Sequence, residues 1–240
     1  MTPAGGGFQT TRWSIVNAAG HPSNPQAAKA LAELCQIYWP PLYGFLRGRG
    51  LDREAAQDLT QGFFARLLER HDVRAADQSR GRFRAFLLTA LKRYAINEHE
   101  RASSMRRGGT QIPLSLDFDQ AERSFAVDQR NDDTPERVFD RKWAAITLDR
   151  ALQRLRDECI HSGKGKTADA LMPYLTDTGN LPAYREIAAA LDLTEGAVKV
   201  AVHRLRQRFG EVLRLEIGDT VVSPADVDDE MRELIRVVST

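Results

Sequence analysis

The stretch YREIAAALDLTEGAVKVAVHRLRQRF, from Tyr184 to Phe209, carries the clearest structural signal in the chain. Its apolar residues recur three and four positions apart, which is the period of an α-helix with one buried face. The pattern breaks after Leu191 and resumes behind Thr194, a good helix N-cap that is followed by an acidic first turn. We therefore predict two short helices joined by a tight turn. They are expected to meet through Ile187, Leu191, Leu193, Val198, Val202 and Leu205.

The outer face of the second predicted helix is cationic. It carries Lys199, His203, Arg204, Arg206 and Arg208. A basic helix that follows a capped turn is typical of a helix-turn-helix, in which the second helix enters the major groove of duplex DNA. The alternative is a plain helical hairpin whose basic face is solvated.

Outside this stretch the apolar spacing is again helical, and no sustained alternation predicts a strand. A helix is predicted from near Pro25, with a kink or a restart at Pro40 and Pro41. Further helices are predicted at 11–19, 53–70, 83–101, 168–175 and 224–238, and another begins at 138 and runs past 155. Residues 111–136 are acidic and polar without a helical stripe, which predicts a linker. The predicted fold is all-α, with two small helical domains joined by a flexible acidic linker and the helix-turn-helix in the second domain.

Charge is unevenly distributed along the 240 residues, although the net charge is only +1. Arg and Lys crowd residues 80–107 and 199–208, and local charge is what attracts phosphates. The two cysteines, Cys35 and Cys159, are predicted to be buried thiols of a reducing compartment. No apolar run reaches the roughly 20 residues that span a bilayer, and the N-terminus lacks a signal-peptide pattern. We therefore expect a cytoplasmic protein without a membrane partner.

The first basic stretch, residues 80–107, interleaves cations with aromatic residues. Phe83, Phe86 and Tyr94 lie among its arginines. Cations that hold a backbone and rings that receive unstacked bases are how single-stranded nucleic acid is bound. Alternatively, Phe83 and Phe86 are core residues, and for these two we favour the core.

Three stretches in this order resemble the extracytoplasmic-function (ECF) sigma factors, small bacterial relatives of the housekeeping sigma factor. REAAQDLTQGFFARLLER (53–70) is similar to the polymerase-binding helix of that family, and GRFRAFLLTALKRYAINEHERA (81–102) to its minus-ten helix. The stretch 184–209 is similar to its minus-thirty-five reader. The resemblance implies an N-terminal extension (1–26), sigma domain two (27–109), a linker (110–137), sigma domain four (138–217) and a C-terminal helical tail (218–240). We expect the tail to pack on the second domain, or alternatively to act as a regulatory segment.

Core RNA polymerase and promoter DNA are the partners that this resemblance implies. The clamp helices of the largest subunit would contact Asp58, Leu59, Gln61 and Phe64, and the flap of the second largest subunit would be a further contact. Loop 71–82 would form a base pocket, and minus-ten contacts are carried over to Arg80, Arg82, Lys92, Arg93, Asn97 and Arg101. Minus-thirty-five contacts are carried over to Thr194, Lys199, Val200, His203, Arg204 and Arg206.

The polymerase-binding helix departs from the family pattern, which has an acidic cluster ahead of the leucine. Ala55, Ala56 and Gln57 stand where the family has mostly carboxylates, with only Asp58 acidic. Phosphorylation would add about −1.5 to −2 charges to this stretch. The pattern is similar to the ECF group that is activated by Ser/Thr protein kinases, so the hypothesis is that phosphorylated Thr60 is an on-switch. Alternatively, Thr60 fills the aliphatic position of the motif.

No pattern predicts catalysis, a metal, a cofactor or a small-molecule substrate. Gly163 to Thr167 contains Gly-Lys-Thr, but the glycine that a phosphate-binding loop needs is replaced by Ile160. The histidines are scattered without ligand spacing. The competing function is a helix-turn-helix regulator that binds duplex DNA without polymerase.

Overall fold

The computed structural model describes residues 27–70, 83–104, 116–128, 133–176, 179, 181–218 and 224–239, and all regular structure within them is helical. The all-α prediction is confirmed. The helices are α1 (Ala27–Gly48), α2 (Arg53–Arg70), α3 (Phe83–Ser104), α4 (Phe118–Asp128), α5 (Pro135–His161), α6 (Gly165–Leu171), α7 (Pro173–Thr176), α8 (Tyr184–Leu191), α9 (Glu195–Gly218) and α10 (Pro224–Val238). The predicted segment 11–19 lies outside the described residues.

The chain divides into two compact units. The first unit comprises Met1–Ala144 and Gly218–Thr240, and the second comprises Ala145–Ile217. The second unit is therefore inserted, in sequence, between two parts of the first. Helix α5 crosses the first boundary without interruption, and α9 ends at the second.

An aromatic core holds α1, α2 and α3 together in the first unit. Tyr38 of α1 packs edge-on against Phe83 of α3, with 5.2 Å between the ring centroids. Helix α2 begins as predicted, because Asp52 Oδ1 accepts a hydrogen bond from the amide of Ala55 at 2.8 Å. Helix α1 continues through Pro40 and Pro41, so the alternative of a restart there is wrong.

The predicted linker contains a helix that packs on α1, which corrects the expectation of an unstructured segment there. Phe118, Ala121 and Phe125 lie at helical spacing on α4 and are all buried. Phe118 packs edge-on against Trp39, with centroids 5.0 Å apart. Glu122 accepts hydrogen bonds from Arg47 Nε at 3.0 Å and Nη2 at 2.7 Å, and this pairing keeps the pKa of Glu122 below its usual value. An 11-residue helix is marginal alone, so this packing is what stabilises it.

The C-terminal helix α10 packs within the first unit, and the expectation that it would pack on the second domain is wrong. Its carboxylate Glu230 is buried against Arg84 of α3, with hydrogen bonds of 3.0 and 2.9 Å. Leu234 and Val237 are buried on the same face. Arg84 also corrects the view of the basic stretch, because this arginine belongs to the interior.

The second unit has a small core around the predicted helix-turn-helix. Its buried residues are Leu171, Tyr174, Ala188, Val198 and Val202. Asp192 ends α8 in the left-handed conformation, with φ 53°, which makes the tight turn possible. Leu193 was expected in the helix contact, but 42% of its surface is exposed.

Candidate nucleic-acid interface

Helix α9 presents its N-terminal half as an exposed cationic surface of the second unit. The N-cap is the predicted one, because Thr194 Oγ1 accepts a hydrogen bond from the amide of Ala197 at 3.2 Å. Lys199, Val200, His203 and Arg204 are all exposed on this helix. Thr194 and Arg206 are exposed as well, so all six predicted minus-thirty-five residues lie on the solvent side, around the buried pair Val198 and Val202.

Lys199 and Arg206 have partners within the second unit. Lys199 Nζ lies 2.9 Å from Glu195 Oε1, one turn earlier on α9, and this hydrogen bond raises the pKa of Lys199. Arg206 donates to the carbonyl of Tyr174 at 3.1 Å through Nη2. Arg206 thus ties α9 to α7, a structural role that the sequence did not indicate.

The first unit has a groove between α2 and α3 with a volume of about 260 Å³. Its lining consists of Phe63, Arg66, Leu67, Phe86, Ala90, Arg93, Tyr94 and Asn97. Phe63 and Tyr94 have centroids 5.9 Å apart, and the Arg66 guanidinium carbon lies 5.8 Å from the Tyr94 ring centroid. The groove therefore combines aromatic rings, two arginines and one amide.

These groups suit an unstacked base with its attached phosphate. Rings bind any base through its π-face, arginine pairs with phosphate, and an amide such as Asn97 both donates and accepts hydrogen bonds. Burial raises the pKa of Tyr94, so the phenol stays neutral at physiological pH. Sequence reasoning had indicated Arg93, Asn97 and Tyr94 but missed Arg66, which α2 contributes from the other wall.

Of the other predicted minus-ten residues, the two that the structure describes, Lys92 and Arg101, are not among the residues that line this groove. Lys92 Nζ lies 2.7 Å from Glu136 Oε1 of α5 and 5.3 Å from the Phe45 ring centroid. Arg101 pairs with Glu98 on its own helix at 2.9 Å. Arg80 and Arg82, with the rest of loop 71–82, lie outside the described residues.

The predicted polymerase-binding residues divide between surface and interior. Asp58 is exposed, and Leu59 and Gln61 are half-buried. Phe64 is 1% exposed and packs in the core, so the expectation that its side chain contacts polymerase is corrected to a role in the core. Because α2 uses one face for the core of the first unit, only its outer side is open to a partner.

Thr60 lies on the inner face of α2 and has no exposed surface. Its Oγ1 donates a hydrogen bond to the carbonyl of Ala56 at 2.7 Å. A kinase needs access to the hydroxyl, and a phosphate here would place about two negative charges inside an apolar core. The hypothesis of an on-switch at Thr60 is therefore at odds with this fold, which favours the alternative that Thr60 fills a core position.

The remaining expectations concern a metal ion, a membrane span, a phosphate-binding loop and the two cysteines. No group of three or more His, Cys, Asp or Glu side chains there is arranged to hold a metal ion. Among the described helices, none has the length and apolar character needed to cross a bilayer. The Gly163 to Thr167 stretch follows α5 and leads into α6. Cys35 is buried, which raises its pKa to about 12, and Cys159 is half-buried rather than buried as expected.

Residues 34–105 match the family model described as Sigma-70 region 2. The matched segment contains α2, α3 and the groove between them. The match supports a sigma-70 family sigma factor and, through it, binding of RNA polymerase and promoter recognition. Comparison with curated proteins and with solved structures found no significant match.

Proposed function

We propose that this chain is an ECF-type sigma factor that binds core RNA polymerase and directs it to promoters. The observation that carries the proposal is the α2–α3 groove, whose rings and arginines suit a single-stranded base and which lies inside the region matched by Sigma-70 region 2. The first unit would bind polymerase and the melted minus-ten element. The second unit would bind the minus-thirty-five duplex.

The duplex contact would be made by the N-terminal half of α9. Val200, His203 and Arg204 are exposed there and would face base edges in the major groove, while Thr194 and Lys199 at the helix start would contact phosphates. When Lys199 binds a phosphate, Glu195 would lose its ion pair with Lys199 and become solvated. Arg206 is assigned to the internal contact with Tyr174 rather than to DNA.

The outer side of α2 would contact polymerase. Asp58 and the exposed Glu54 supply its negative charge, next to Leu59 and Gln61. Charged groups at an interface mainly steer encounter and orientation, so a helix with few carboxylates should bind the polymerase clamp weakly. A kinase that acts on Thr60 is not part of the proposal, because the hydroxyl is buried.

Runoff transcription with bacterial core RNA polymerase tests the proposed function. The template is a promoter library randomised at two elements, and the transcripts are sequenced from their 5′ ends. We expect transcripts that depend on the added protein and that share two sequence elements upstream of their start sites. If the purified protein instead selects duplex DNA alone and gives no transcripts with core polymerase, it is a helix-turn-helix regulator and the proposal fails.

Replacing Tyr94 with alanine is expected to weaken binding of the melted minus-ten strand. Base stacking on an aromatic ring contributes about 1–3 kcal/mol, so the loss should be about 5- to 150-fold. The measurement is binding of the polymerase complex to a forked promoter probe whose minus-ten element is single-stranded. A fully duplex probe that carries only the minus-thirty-five element is the control and should bind unchanged. Equal weakening on both probes would show that Tyr94 acts on the fold.

A further inference from the structure

The C-terminal helix α10 is bound to the first unit by one face. Glu230, Leu234 and Val237 lie at positions i, i+4 and i+7 of this helix and are 1%, 3% and 7% exposed. Such spacing places all three on one side of an α-helix. Asp229 lies next to them but faces outward, where it pairs with Arg232 across one turn.

The central contact of this face is a bidentate ion pair between Glu230 and Arg84. Arg84 Nε lies 3.0 Å from one carboxylate oxygen of Glu230, and Nη2 lies 2.9 Å from the other. The third guanidinium nitrogen donates to Asp140 of α5, and the guanidinium carbon lies 4.4 Å from the Trp143 ring centroid. A bidentate pair of this kind fixes the relative orientation of the two side chains and also adds interaction energy. Helices α3, α5 and α10 therefore meet at a single arginine.

The position of α10 has a consequence for the second unit. At its N-terminal end, the second unit (145–217) is connected to the first by the unbroken helix α5, whose Phe139 and Trp143 are buried. At its C-terminal end, the connection runs from α9, which ends at Gly218, to α10, which begins at Pro224. The connection between these two residues spans at most about 22 Å, because a chain extends by no more than about 3.6 Å per residue. With α10 bound, both ends of the second unit are tethered to the first.

We propose that α10 is a clasp that limits the distances and rotations at which the two DNA-binding units act together. This proposal rests on the proposed function, since it concerns the spacing of two promoter elements. Each added base pair moves one element by about 3.4 Å and rotates it by about a tenth of a turn. A DNA-binding unit that is tethered at both ends adjusts poorly to a changed distance and rotation between the two promoter elements. A unit that is tethered at one end adjusts to them more easily.

The test measures runoff transcription on promoters whose spacer is lengthened or shortened in single base pairs. Three proteins are compared with the unmodified chain. In the first, a protease site inserted between Gly218 and Pro224 is cut, which removes the tether and leaves α10 in place. The second is Glu230→Gln, which weakens the clasp. The third is Asp229→Asn, the matched control on the same helix.

We expect the unmodified chain and Asp229→Asn to lose about tenfold in transcription for a spacer change of two base pairs. The cut protein and Glu230→Gln should lose about twofold or less. An identical spacer profile for the cut and uncut proteins would overturn the clasp as a determinant of spacing, whatever happens with Glu230→Gln.

A second readout is independent of transcription. After cleavage, the fragment that begins at Pro224 should co-elute with the rest of the chain in gel filtration, and it should be lost with Glu230→Gln. If the fragment dissociates although Glu230 is unchanged, α10 does not bind the first unit, and the proposal fails. Retention of the fragment without transcription by any of the proteins would instead mean that the sigma-factor function has failed.

Discussion

Replacing Glu230 with alanine is expected to lower the free energy of unfolding of the first unit by about 3 kcal/mol. The side chain of Glu230 is 1% exposed and that of Arg84 is 10% exposed. Removing the carboxylate leaves a buried guanidinium whose remaining partner, Asp140, binds it through one nitrogen. Breaking one side of a buried ion pair is costly because the other charge stays out of water.

Tryptophan fluorescence measures this effect in the first unit alone. The three tryptophans, Trp13, Trp39 and Trp143, all precede residue 145, so the second unit contributes none. Unfolding in urea should therefore show an earlier fluorescence midpoint for Glu230→Ala at an unchanged slope. Asp229→Ala, which removes an exposed carboxylate from the same helix, should change the free energy of unfolding by less than about 0.5 kcal/mol, with a correspondingly small shift of the midpoint. Equal shifts for the two variants would contradict the buried pair.

A double substitution separates the ion pair from general packing. Arg84→Leu with Glu230→Leu removes both charges together, and it should lower the free energy of unfolding by less than the sum of the two single substitutions.

Asp140→Asn should lower the free energy of unfolding only slightly near neutral pH. Burial raises the folded pKa of Asp140, so its contribution to stability is greatest below the unfolded pKa and is lost as the pH rises through the folded value.

The helix-turn-helix was predictable because its signals are local. The spacing of Ile187, Val198 and Val202, the cap at Thr194 and the basic outer face all lie within 26 residues. The first helix and the start of the second form where they were expected, but the second helix is longer than predicted and continues to Gly218. The bounds of helix α10 were predictable for the same reason, since its apolar residues recur at helical spacing in the sequence. Its binding partner was not predictable, because nothing in sequence order connects Glu230 to Arg84.

Helix α4 was missed for a different physical reason. Only three side chains of its buried face, Phe118, Ala121 and Phe125, are apolar, and acidic residues dominate the segment around them. Composition predicted a linker, whereas packing on Trp39 and pairing of Glu122 with Arg47 stabilise a helix. Tertiary contacts determine a short helix more than its own propensity does.

The candidate groove was half predictable. The rings and cations of α3 form a recognisable pattern, but Arg66 comes from α2, the helix for which the resemblance implied binding to polymerase. A groove requires two helices to face each other, and sequence order does not give the relative rotation of α2 and α3, whose buried residues include Phe63 and Leu91. The same rotation turns Thr60 and Phe64 inward, away from the surface where both had been expected to act.

Replacing Thr60 with aspartate is expected to destabilise the first unit by about 3–5 kcal/mol and to reduce binding to core polymerase as a consequence. A carboxylate at this position would enter a fully buried site without a positive partner nearby on α2. Thr60→Val keeps the shape and loses only the hydrogen bond to Ala56, so its cost should stay within about 1 kcal/mol. Urea unfolding followed by tryptophan fluorescence gives both values.

The pH dependence of Thr60→Asp distinguishes burial from a general packing defect. Burial raises the pKa of a carboxyl group, and the protonated form costs less to bury. The stability deficit of Thr60→Asp relative to Thr60→Val should therefore shrink as the pH falls toward about 4. A pull-down with core RNA polymerase completes the comparison. An aspartate variant that is as stable as the unmodified chain and binds polymerase more tightly would place Thr60 at the surface and restore phosphorylation as the on-switch.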